Sequence, residues 1–243
     1  MIPRIIHYCW FGDAPKPNLI ERCISSWRKH LPEYKTIEWN EKNFDIDCCP
    51  FVEEAFESRK YAFVSDVVRG HALYSHGGIY LDADVEVLKS FDPFLSHRSF
   101  WGFEAENFVA TSTIGAVKGH EIIKAYLDHY NNRHFKQPDG SFDIIPNVTV
   151  VTRLLQERGL TLDNTKQEIG DGNIIYPQKI FSPYDPRTGS ISRGSETIAI
   201  HHYSNTWDLS ALFLIKRTLK KTMAKLIGKK LSEALWLEEN DRR

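Results

Sequence analysis

The chain has 243 residues, 42% of them hydrophobic and 26% charged, with a formal net charge of −1. That length and composition suit one sizeable globular domain, with or without an appendage. Near-neutrality argues against generic nucleic-acid affinity over the whole surface, and the four cysteines (Cys9, Cys23, Cys48, Cys49) form no C-x-x-C pair, with the vicinal Cys48–Cys49 a poor structural bridge.

The opening "RIIHYCWFG" reads as a buried strand that ends at Gly12, with Asp13 and Pro15 punctuating its exit. It is too aromatic and too short in its apolar run for a signal peptide, and no stretch of about 18 apolar residues follows. With cysteine use typical of a reduced compartment, the expectation is a cytoplasmic protein. From Asn18 to His30, apolar residues recur at helical spacing until Pro32. "KTIEW" reads as a second strand. "CPFVEEAFESRKYAFVSDVVRGHALYSHGG" fits one or two helices, stopped by Gly77 and Gly78, and "IYLDADVEV" reads as the next strand. Strand–helix alternation over the first ninety residues or so predicts an α/β fold.

Further on, "SFWGFEA" and "NFVATSTIGAV" look like strands, while "HEIIKAYLDHYNNR" and "VTVVTRLLQERG" look helical. "NIIYP" and "TIAIHHYS" are expected to close the sheet. The character changes near Trp207. The expected division is therefore a catalytic domain over 1–209 and a basic amphipathic helix over 210–243. Between Lys216 and Lys230 lie Arg217, Lys220, Lys221, Lys225 and Lys229 without one acid, and Leu212, Ile215, Leu219, Met223 and Leu226 recur at helical spacing. Such a segment either meets an anionic membrane surface, making the protein peripheral on the inner face of the cell membrane, or packs its apolar stripe on the domain.

Within "GGIYLDADVEV", strand alternation puts Tyr80, Asp82 and Asp84 on one face. Two oxygen donors on one face suit a hard divalent cation that meets a phosphate. Two solvated acids at a strand end would give the same pattern. Upstream, Asp66 and Arg69 stand three apart on a helix, which is a common surface ion pair and equally a means of gripping hydroxyls or phosphate.

Taken together, "SDVVRGHALYSHGGIYLDADV", the opening "IPRIIHYCWFG" and the late "AIHHYSNTW" resemble, in order, the blocks of the glycosyltransferases with a D-x-D sugar-binding region, family 32. That family includes bacterial capsular-polysaccharide transferases and an initiating α-1,6-mannosyltransferase, and it is distantly similar to the catalytic core of clostridial glucosylating toxins. The resemblance implies a GT-A fold, a Rossmann-like nucleotide-sugar-binding sheet, here with a C-terminal helical extension. It also implies Mn²⁺ or Mg²⁺ as cofactor and transfer of a hexose with retention. The donor would be a nucleotide-sugar, most simply a UDP-sugar. The acceptor would be a glycan or lipid-linked oligosaccharide in capsule, O-antigen or exopolysaccharide synthesis.

Residue by residue, the resemblance assigns His7, Trp10, Asp66, Arg69, Tyr80, Asp82 and Trp207 to donor binding. Asp66, Arg69 and Asp82 are expected to be catalytic, and Asp82, Asp84 and His202 to be metal ligands. His201 and His202 are adjacent, so on a strand only one faces the acids, and His202 is the expected one. No carboxylate stands out as a double-displacement nucleophile; Glu104 and Glu106 are the nearest. "IIPNVTVVT" keeps only Pro146 of the family's frequent Gly-Pro, so no acceptor contact is assigned there, and Thr206 stands where the family has Ser. A metal-dependent phosphodiesterase would need a second metal and more ligands. A non-catalytic membrane-associated scaffold with this fold would tolerate loss of Asp84.

Overall fold

The structure, a computed structural model, describes residues 1–105, 108–185 and 190–204. Glu106, Thr206, Trp207 and the expected helix over 210–243 lie outside the described residues.

The first half follows its hydrophobic pattern. In chain order it forms β1 (Ile5–Cys9), α1 (Asn18–His30), β2 (Lys35–Trp39), α2 (Pro50–Glu57), α3 (Tyr61–His76) and β3 (Gly78–Leu81). Helix α1 buries Ile20, Cys23, Ile24 and Trp27, a stripe at three- and four-residue intervals. Helix α3 stops at Gly77 and Gly78, whose φ angles are 66° and 111°. A Cβ on Gly77 would meet the Lys118 amide nitrogen at 2.6 Å, and one on Gly78 the Ile5 carbonyl oxygen at 2.7 Å. Only glycine makes this turn.

The second half adds β4 (Val85–Val87), β5 (Ser99–Ala105), β6 (Phe108–Val109), β7 (Thr113–Ala116), α4 (Glu121–Asp128) and α5 (Asn147–Gln156). After these come β8 (Gln167–Ile169), β9 (Asn173–Tyr176), α6 (Gln178–Phe181), β10 (Tyr184–Asp185), β11 (Ser190–Ile191) and β12 (Ala199–His201). The main sheet runs β2-β1-β3-β7-β5-β9-β8, with β6 on β5. Strands β2, β1 and β3 are parallel, β7 is antiparallel to both β3 and β5, and β9 is parallel to β5. On one face Ile6, Tyr8, Ile79, Leu81 and Phe100 pack with the buried stripe of α1. On the other, Tyr80, Trp101 and Ile114 pack with apolar residues of α2, α3, α4 and α5. Helices on both faces of a mixed sheet make this the expected α/β architecture. Among the described residues, no helix is long and apolar enough to cross a membrane.

Two expectations need correction. Residues 79–87 are two strands, since β3 ends at Leu81 and the Val85 amide donates to the Asp82 carbonyl at 2.9 Å, closing a turn. "TIAIHHYS" does not close the main sheet: β12 pairs antiparallel with β4 in a separate two-stranded ladder, where His201 stands opposite Val85.

Candidate active site

Strand β1 leads to β2 through α1 on one face, and β2 leads to β3 through α2 and α3 on the other. The order β2-β1-β3 therefore opens a crevice outside the carboxyl ends of β1 and β3, where ligands of open α/β sheets collect. Helix α3 runs back toward the start of β3, so its early turns, with Asp66 and Arg69, lie beside that crevice.

The turn after β3 delivers both acids of the D-x-D motif. The Asp82 amide donates to the Ser112 carbonyl at 2.9 Å, which anchors the strand end. Asp84 is buried, and its Oδ2 accepts from the Ser204 amide at 2.6 Å. His201 Nε2 stands 3.4 Å from Asp84 Oδ1 and 3.9 Å from Asp82 Oδ2. One ligand atom from each of Asp82, Asp84 and His201 lies within 4.8 Å of the others.

His202 stands apart from this cluster. Its Nε2 meets Glu86 Oε2 at 2.9 Å, away from the acids, and only its backbone amide touches the motif, donating to the Asp84 carbonyl at 3.2 Å. Had Asp84 kept strand geometry, His202 would be its cross-strand neighbour on the same face. The turn takes Asp84 out of that alternation, and the neighbouring histidine faces it instead.

The electrostatics follow from burial and charge. Burial disfavours the Asp84 carboxylate, but His201 and the Ser204 amide outweigh that and hold its pKa below the usual value. Burial pulls the His201 imidazole down, and Asp84, Asp82 and Glu104 together lift it to about 8. Glu104, on β5, is itself pushed up by burial, and feels the charges of His201, Asp82 and Arg69. Asp82 and Asp84 thus meet the His201 imidazole, with Arg69 beside Asp82. Two hard oxygens and an imidazole nitrogen form a donor set that fits Mn²⁺ or Mg²⁺.

Arg69 is buried beside this cluster. Its guanidinium donates to Asp66 Oδ1 at 3.0 Å and to the Thr111 carbonyl at 2.7 Å, stands 3.4 Å from Asp82 Oδ1, and lies over the Tyr80 ring at 4.7 Å. Burial drives the Asp66 carboxyl up to about 7 against the pull of Arg69. Tyr80 is buried beneath the guanidinium as its support and offers no open surface. Trp10 is half-buried just past β1, with its indole N–H donating to the Ala14 carbonyl at 2.9 Å.

His7 lies in the core. It is fully buried; Nε2 donates to the Gly77 carbonyl at 2.9 Å and Nδ1 accepts from the Trp39 indole at 3.1 Å. Trp39 can only donate, which fixes the tautomer. Both nitrogens are spent inside the protein, so His7 is a core residue rather than a donor contact.

Neither Asn147 nor Ser204 stands out in the sequence as a site residue. Asn147, the first residue of α5, donates from its amide to Asp66, and the Ser204 contribution is a backbone amide. Neither leaves a local signal, because both depend on contacts across 81 and 120 positions of chain.

Residues 17–101 match the profile of a family described as glycosyltransferase sugar-binding region containing DXD motif. Over 90% of the chain, the sequence is 25% identical to "Subversion of eukaryotic traffic protein A" of Legionella pneumophila subsp. pneumophila, covering 36% of that protein. Over 50% of the chain it is 29% identical to "Inositol phosphoceramide mannosyltransferase 3" of Schizosaccharomyces pombe, covering 35% of it. The chain thus spans about a third of the length of these curated relatives. Among solved structures, "PaToxG Glycosyltransferase" superposes with a TM-score of 0.49 at 20% identity, covering 64% of this chain and 69% of that one.

Proposed function

We propose that this chain, which belongs through residues 17–101 to the glycosyltransferase family with a DXD sugar-binding region, moves a hexose from a nucleotide-sugar to a glycan or lipid-linked acceptor. The observation that carries the proposal is the meeting of Asp82, Asp84 and His201 at the carboxyl end of β3, next to the buried Asp66–Arg69 pair. Asp82, Asp84 and His201 would hold the divalent cation. Bound there, it would offset the negative charge that gathers on the departing nucleoside diphosphate.

The chain's own residues supply the rest. Asp66 accepts hydrogen bonds from sugar hydroxyls, and Arg69, fixed by Thr111 and Tyr80, presents its charge toward the diphosphate side of Asp82. Trp10 and Trp207 would flank the nucleotide. The sugar's bond to phosphate breaks as its bond to the acceptor oxygen forms on the same face. The acceptor's proton passes to the departing diphosphate, with no covalent sugar on Glu104.

The name of the Schizosaccharomyces pombe relative supports mannose as the hexose and an inositol phosphoceramide-like lipid as one kind of acceptor. The basic run from Lys216 to Lys230 would bring such an acceptor's anionic membrane within reach. Truncation after Ser210 is then expected to spare donor hydrolysis and to abolish sedimentation with anionic vesicles.

The test is calorimetric titration of the full chain with UDP-glucose and GDP-mannose, with and without Mn²⁺, followed by assay for released free sugar. Uptake that requires Mn²⁺, with sugar and nucleoside diphosphate as products, is expected. No Mn²⁺-dependent uptake of either donor would remove the proposal.

A further inference from the structure

Four buried groups form a closed hydrogen-bonded circuit behind the crevice. Arg69 donates to Asp66 Oδ1 at 3.0 Å and to the Thr111 carbonyl at 2.7 Å. The Thr111 hydroxyl donates to Asn147 Oδ1 at 3.0 Å, and the Asn147 amide nitrogen donates back to Asp66 Oδ1. Relative exposure is 8% for Asp66 and Asn147, 5% for Arg69 and 4% for Thr111. The circuit joins three separate pieces of chain: α3, the segment before β7, and the first turn of α5. A further bond, from the Val109 amide to Thr152 Oγ1 at 2.9 Å, holds α5 against β6.

We infer that Thr111 and Asn147 are positioning residues that set the rotation of the Asp66 carboxylate. The reasoning is one of donor and acceptor polarity. An asparagine amide can face either way, and the wrong way would point an oxygen at Asp66. The Thr111 hydroxyl, donating to Asn147 Oδ1, turns the NH₂ toward Asp66. Both side-chain bonds to Asp66 fall on Oδ1. Among the described residues, Oδ2 accepts no hydrogen bond, which leaves that oxygen for a ligand hydroxyl. The circuit therefore decides which carboxylate oxygen is spent internally and which is presented. This rests on the proposed donor-sugar role of Asp66 and extends it to two residues that do not touch the sugar.

The experiment compares Thr111→Val, Thr111→Ser and Asn147→Ala with the unaltered full chain. Calorimetry would use UDP-glucose, GDP-mannose, UDP and GDP, all with Mn²⁺, and melting temperatures would be recorded alongside. Asn147→Ala removes the bond to the Asp66 carboxylate and Thr111→Val the bond that turns Asn147 toward it, and each is expected to weaken the donor that the unaltered chain binds by roughly ten- to a hundredfold. The matching nucleoside diphosphate, which has no sugar for Asp66 to hold, should keep its affinity, and Thr111→Ser should restore the donor's. A merely structural role would move donor and diphosphate together. Equal losses for both, donor affinity as in the unaltered chain, or failure of Thr111→Ser to rescue would each overturn the inference. Failure of the broader reading is seen elsewhere, in the unaltered chain taking up neither donor, and it would bring this inference down as well.

Discussion

His7 and His201 are both shielded imidazoles at sheet strands, yet their surroundings have opposite logic. His7 has one donor and one acceptor partner, and burial together with His76 on α3 and Lys35 on β2 lowers its pKa to about 4, against the milder opposing pull of the Gly77 carbonyl. His201 faces two carboxylates at 3.4 and 3.9 Å, while its Nδ1 is buried without a partner among the described residues. Among the described residues, every polar atom of the first ring has a partner, and Nδ1 of the second does not. Buried polar groups are normally satisfied, so the unmet demand of the second cluster is what distinguishes a working site from a core.

The largest expected effect breaks the demanding side of this comparison. Asp84→Asn keeps an oxygen for the Ser204 amide but removes the charge, so the fold should survive while cation-dependent donor uptake falls. A group that stabilises developing charge is commonly worth several kcal/mol. A drop of roughly 10²- to 10³-fold in donor turnover is expected, measured by sugar release with Mn²⁺. Turnover within about threefold of the unaltered chain would leave the cluster without its proposed role.

The next prediction acts on the satisfied side. His7 has a folded pKa near 4, below the value of about 6.5 for the unfolded chain, so between those values the unfolded state binds more protons. The stabilisation is complete above about pH 6.5 and is lost as pH falls toward about 4. The loss amounts to about 3 kcal/mol at the most for a shift of this size. Protonation would set a second N–H against the indole N–H of Trp39. Trp39→Phe removes that conflict, and the acid sensitivity of denaturant midpoints should shrink with it. A Trp39→Phe variant as acid-sensitive as the unaltered chain would show that burial, and not the indole, sets the cost of protonating His7.

Much of the satisfied half was legible in the sequence. The bounds of α1 and β2 and the stop of α3 follow from apolar spacing, Pro32 and the paired glycines, because each is a local constraint, whereas β1 ends at Cys9, short of the expected Gly12. Asp66 and Arg69 were legible as an i, i+3 pair on α3. The turn at Asp82 was not, since alternation runs unbroken through "IYLDADVEV" and neither glycine nor proline marks the reversal. Nor was His7's commitment, which depends on Trp39, 32 positions away. The choice between His201 and His202 was hidden because Thr197, Ile198, Ala199 and Ile200 are all buried, so the strand offers no exposed face to set the phase.

That choice gives the smallest and sharpest test. The turn after β3 brings the acids to His201, while His202 meets Glu86, so the two neighbours should respond differently to the same truncation. Removing a direct ligand should weaken Mn²⁺ binding at least as much as losing an outer partner, roughly tenfold or more. His201→Ala should therefore lose that much in a Mn²⁺ titration with UDP present. His201→Gln, which keeps bulk beside the Tyr203 ring 3.9 Å away, should lose a comparable amount while melting near the unaltered chain. His202→Ala should lose only a part-buried contact with Glu86 outside the cluster and stay within about twofold. If His202→Ala proves the weaker binder, then the turn at Asp82 reorganises when the cation arrives, and Asp84 returns to the strand face that its sequence spacing suggests.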